Sequence, residues 1–200
     1  MTAAPPFKAE GFEISGDLFE NPRVGLPRGI YWSCAIDFAP IQDSQESKEE
    51  DEGWPCILLC DWITWPVRDW REIDGLTLKS CVDPRLVEAS LYFFGQHQPL
   101  SGIELQFRRS GADRFRIRGR FVADLTNLAG DTLREVSAEF DVAGHFSGLT
   151  VLPNNLAPKP KSEAQAIDAL GRFADLQAYE RPQWRDMSWL FRPRIDDTAS

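Results

Sequence analysis

Four arginines at every second position, Arg114, Arg116, Arg118 and Arg120, alternate with Phe115, Ile117 and Phe121, and this pattern fits only a strand. Successive side chains of a strand point to opposite faces, so one face is basic and the other enters a core. A second stretch, Glu135, Ser137, Glu139 and Asp141 alternating with Val136, Ala138, Phe140 and Val142, carries the complementary pattern. Directly opposed residues share a face, so two such strands with one common core set arginines against acids across the ladder. Glu104 and Gln106, alternating with Ile103, Leu105 and Phe107, supply a third strand, joined to the arginine strand through a turn at Ser110 to Asp113. A five-residue connection, Arg109 to Asp113, places Arg108 opposite Arg114 and Glu104 opposite Arg118. The row therefore reads as an ion network of exposed pairs, each contributing about 0–1 kcal/mol.

Strand-like alternation recurs along most of the chain. The segments are Phe12 to Phe19, Gly29 to Phe38, Pro55 to Ile63, Leu76 to Cys81, Leu86 to Phe94, Gly102 to Arg109, Asp113 to Val122, Arg134 to Ala143 and Phe146 to Leu152. After them, Ser162 and Gln165 form a capping signature ahead of a helical pattern that runs to about Ala178. Its apolar stripe, Ile167, Leu170, Phe173 and Ala174, needs a partner surface, and the apolar side of the sheet is the nearest. The expectation is an α+β fold: a mainly antiparallel meander, in one layer or two, with one C-terminal amphipathic helix packed on the sheet. One domain spans residues 1–200, with a mobile acidic loop at 40–53 and a helix plus tail at 162–200.

The chain carries 31 acidic and 22 basic residues and a net charge of −9, which argues against a nucleic-acid backbone as partner. Residues 43 to 52 contribute −5 of that charge. The N-terminus shows no secretory pattern, and the longest apolar run, Cys56 to Cys60, is far too short for a membrane helix. A cytoplasmic protein without membrane contact is expected. Cys56 and Cys60 lie about 13 Å apart along a strand, too far for a disulfide or a shared zinc, so only Cys34 or Cys81 could complete a pairing.

No nucleotide, P-loop, zinc or nucleophile-elbow motif is present, so no cofactor and no metal site is expected. His97 and His145 both read as turn residues. Carboxylate pairs such as Asp61 with Asp69 could do acid–base work, but acids are too numerous for this to be a signal. Binding is favoured over catalysis, with the reservation that scattered residues can assemble a site without a local motif. In size, charge and texture the chain resembles small bacterial immunity proteins, which neutralise a toxin by covering its active site. This resemblance implies a basic protein partner, steered by Glu49, Glu50, Asp51 and Glu52 and anchored by Trp54. The alternative is a small-molecule or carbohydrate site using tryptophans and arginines. Trp62 falls on a strand that is apolar on both faces and is expected inside. Trp65 and Trp70, among Arg68, Asp69 and Arg71, are expected at the surface, with Arg108 and Arg109 as surplus arginines able to take a phosphate or carboxylate.

Overall fold

Strand periodicity is realised over longer stretches than the sequence implies. The computed structural model describes residues 7–41, 53–80, 88–126 and 132–195. Among the described residues are β1 (Ala9–Asn21), β2 (Leu26–Ile41), β3 (Trp54–Ile63), β4 (Thr77–Ser80), β5 (Glu88–Phe93), β6 (Gln96–Arg109), β7 (Arg114–Thr126), β8 (Thr132–Val151), β9 (Gln183–Arg185) and β10 (Ser188–Phe191). One α-helix, α1 (Glu163–Gly171), follows β8. Antiparallel pairing runs β1-β2-β3-β5-β6-β7-β8, and β8 then pairs with β1 in parallel, closing seven strands into a barrel. β4 pairs with the second half of β6, while β10 and β9 form a hairpin extending from β8.

This closure corrects the expected open meander. The cause lies in β8, whose first part pairs with β7 down to Arg114↔His145 and whose last part pairs with β1 up to Leu18↔Val151. Gly144 and His145 read as a turn in the sequence, yet both lie inside this one strand. Gly144 is present because the backbones come close there: a Cβ would collide with the Phe12 carbonyl oxygen. Gly148, at φ 134, stands where the β1–β8 register shifts between Ile14 and Ser15. Pairing β8 with β1 removes the two open edges that a meander would leave.

Inward residues fill the barrel with two aromatic clusters. Trp32, Trp65, Trp70, Phe107, Phe115 and Phe146 form one, and Phe7, Phe38, Phe93, Phe121 and Phe140 form the other, further along the same strands. With the sheet's apolar face enclosed, no open sheet face remains for the helix to cover. α1 is instead tied to the segment closing one end of the barrel. Arg68 Nη1 and Nη2 donate to the carbonyls of Arg172 and Gly171, at 3.3 and 3.2 Å, and the Asp175 amide donates to the Arg68 carbonyl at 2.8 Å. The helix stops at Gly171, and residues 176–178 form a separate turn capped by Asp175.

The arginine ladder has the expected parity in a shifted register. Arg118 lies opposite Asp141 and Gln106, and Arg120 opposite Glu139 and Glu104. Arg108 faces Arg116 rather than Arg114, because the reversal is centred one residue later, with the Ser110 amide donating to the Arg114 carbonyl at 2.9 Å. Arg116 reaches Asp141 at 2.6 Å and Lys79 reaches Glu104 at 2.9 Å, both in exposed positions of small energetic weight.

Candidate ligand site on the outer wall

The tryptophan and arginine candidates do converge, but as the plug of one barrel end. Trp70 is fully buried: its ring stacks on Phe146 at 5.6 Å and 18°, and its Nε1 donates to the Ala178 carbonyl at 3.1 Å. The expectation of a surface Trp70 is corrected here, because the 3-10 turn at Trp70–Ile73 fans Asp69 and Arg71 outward while turning the indole inward. Arg109 lies over the Trp70 ring at 5.1 Å, and its side chain donates to the carbonyls of Gly111 and Ala112. Arg68 holds the end of α1, Trp65 packs edge-on against Phe107 at 5.1 Å, and Arg108 is exposed beside Gly75. Asp69 accepts from the Arg71 amide and pairs with its guanidinium at 3.0 Å, so it is not a partner for Asp61. Trp54 is 41% exposed at the start of β3, edge-on to Phe94. Glu49, Glu50, Asp51, Glu52 and Cys81 lie outside the described residues.

Asp61 finds a different carboxylate. On β1 the inward residues Gly16 and Leu18 alternate with outward Asp17 and Phe19, and on β2 Tyr31 is paired directly with Asp17. β3 contributes Asp61 and Trp62 through a bulge, where Cys34↔Cys60 and Trp32↔Ile63 enclose one residue of β2 but two of β3. Trp62 takes φ 59, a left-handed conformation that an indole-bearing residue seldom adopts, and so leaves the interior expected for it. Its ring meets Phe19 at 4.6 Å and Tyr31 at 5.9 Å, and Phe19 meets Tyr31 at 4.7 Å.

These three rings, Asp17, Asp61 and Ser33 line a cavity of about 180 Å³, overhung by Leu152 and Asn155. A shallower cleft of about 590 Å³ continues past Phe19, Trp62 and Asn155 towards Arg23 and Lys159. The overhang is pinned by Glu20, which accepts from the Ala157 amide at 2.7 Å and pairs with Arg28 at 2.8 Å, while Arg28 donates to the Ala157 carbonyl at 2.6 Å. The larger concavity over β6, β7 and β8, about 710 Å³, is lined by charges of both signs, with Arg118 and Arg120 in a row between Glu104 on one side and Glu139 and Asp141 on the other.

The small cavity is electrostatically one-sided. Burial, and secondly the charge of Asp61, push the Asp17 carboxyl up to about 6. Among the described residues, neither Asp17 nor Asp61 has a hydrogen-bond or ion-pair partner. Further along the same wall Glu10, Glu13 and Asp37 are exposed, and burial together with those two glutamates raises Asp37 as well. Two carboxylates beside aromatic faces can take up an organic cation or share a proton. No helix among the described residues is long and apolar enough to cross a membrane. No family model, curated protein or solved structure matches this chain.

Proposed function

We propose that this protein works by binding a basic protein partner, and that the cavity beside Trp62 captures an alkylammonium group, the end of a partner lysine. The observation that carries the reading is the pair Asp17 and Asp61, half-buried against Phe19, Tyr31 and Trp62 with no cationic partner among the described residues. Retaining an unpaired carboxylate in such a place opposes folding, as expected of a group kept for a ligand. Glu10, Glu13 and Asp37 extend the negative wall and favour approach of a positive surface, an effect that salt weakens. This moves the basic-partner reading from the 43–52 stretch to the outer wall of β1, β2 and β3. Immunity-type neutralisation is the form it takes if the partner is a toxin whose active site the complex covers. A cytoplasmic setting belongs to the same proposal, supported by the free thiols of Cys34, Cys56 and Cys60.

The test is a fluorescence titration with n-butylammonium and with a lysine-rich decapeptide. Both are expected to give a saturable change that vanishes in Trp62→Phe, weakens about tenfold or more in Asp61→Asn, and persists in Trp54→Phe. Binding that ignores Asp61→Asn, or no binding, would remove the site. Binding of butylammonium without the peptide would favour a free amine as ligand.

A further inference from the structure

Directly beneath this wall, the fold brings together two thiols that the sequence could not pair. Cys34 of β2 and Cys60 of β3 are directly opposed, and both are buried inside the barrel, at 1% and 0% exposure. Directly opposed residues of an antiparallel pair hold their Cα atoms about 4.5–5.5 Å apart, within the roughly 4.4–6.8 Å that a disulfide spans, so the pair can close without a change of register as the Cβ atoms draw in to about 3.8 Å. Cys56 is opposed to Phe38 and stands about 13 Å along β3 from Cys60, beyond disulfide reach.

We propose that Cys34 and Cys60 form a redox-closable dithiol, which a small-molecule disulfide such as oxidised glutathione converts to an internal disulfide clamping β2 to β3. One thiolate attacks a sulfur of the oxidant, forming a mixed disulfide and releasing one glutathione thiolate. The second cysteine thiolate then attacks the protein sulfur of that mixed disulfide and releases the other. Two protein thiols thus lose two electrons and two protons, and the oxidant is reduced to two thiols. The clamp lies immediately before the bulge that presents Asp61 and Trp62, so closure fixes the strand pair that carries them. Burial raises both thiols far above their ordinary range, so attack begins when β2 and β3 separate and the product is shielded once they close. In a reducing compartment the pair stays as thiols, and oxidant exposure closes it.

The test compares the full chain with Cys34→Ser, Cys60→Ser and Cys56→Ser. Each is held with oxidised glutathione in urea just below the unfolding transition, returned to buffer, and analysed by peptide mass mapping without reduction and by thermal melting. Wild type and Cys56→Ser are expected to gain a cross-linked Cys34–Cys60 peptide pair and to melt roughly 5–10 °C higher, reversibly with dithiothreitol. Cys34→Ser and Cys60→Ser are expected to gain neither. Thiols that stay reduced, lasting glutathione adducts on Cys34 or Cys60, or a bridge to Cys56 or Cys81 would each overturn the proposal.

Discussion

Replacing Trp70 by alanine is expected to cost about 3–5 kcal/mol of folding stability, read as a lowered urea midpoint with an unchanged slope. The indole is wholly enclosed, stacked on Phe146 and edge-on to Phe115 at 6.1 Å, so truncation leaves a cavity in the plug. Two further losses add to this. The Ala178 carbonyl would lose its donor, and the guanidinium groups of Arg71 and Arg109, at 4.9 and 5.1 Å from the ring centre, would lose the face they cover. Trp70→Phe keeps most of the apolar volume but not the N–H, and should cost about 1–2 kcal/mol. Near-neutral behaviour of Trp70→Ala would mean that the residue is at the surface, as its charged neighbours in sequence suggest.

Asp17→Asn should act in the opposite direction, stabilising the protein by about 2 kcal/mol at pH 7.5 and by almost nothing at pH 4. The folded carboxyl is raised to about 6 from an ordinary 3.8, first by burial and then by Asp61. Below the unfolded value both states are protonated and Asp17 has no effect on stability. As pH rises from about 4 through 6 the unfolded chain ionises first, the folded state holds the extra proton, and stability falls. A shift of this size corresponds to about 3 kcal/mol if taken in full, reduced here because Asp17 is partly open to water. Urea unfolding of both proteins at the two pH values measures the difference. Equal destabilisation at both would show that the side chain is needed for packing rather than opposed by its charge.

Local alternation was the most legible part of the fold. Arginines do lie opposite acids across the ladder, Arg118 across from Asp141 and Arg120 across from Glu139, because parity is set by the strand period, whereas the individual pairs depend on register. Closure was not legible, since the pairing of Ile14 with Phe146 joins residues far apart in sequence and depends on β8 running through Gly144 rather than turning there. The site was hidden for a related reason. Asp17 and Asp61 come together only through β1–β2 and β2–β3 pairing, and the bulge at Trp62 breaks the alternation used to assign that residue to the interior. One signal was present: Phe19 follows Asp17 at strand period two, which places an aromatic ring on the polar face of β1. Arg68, Asp69 and Arg71 misled in the other direction, because charges around a tight turn do not fix where its central tryptophan points.

The charges facing Asp17 define the decisive measurement. Asp61 approaches from β3, Tyr31 is paired with it from β2, and the Glu20–Arg28 ion pair flanks the overhang. A bound ammonium therefore requires Asp17 to give up the proton it holds near pH 6. The affinity of the lysine-rich decapeptide, measured by calorimetry between pH 5 and 7.5, should rise about tenfold across this range with proton release, and Asp17→Asn should flatten the profile. An affinity independent of pH in the wild type, or a profile unchanged by Asp17→Asn, would contradict capture of the cation at Asp17.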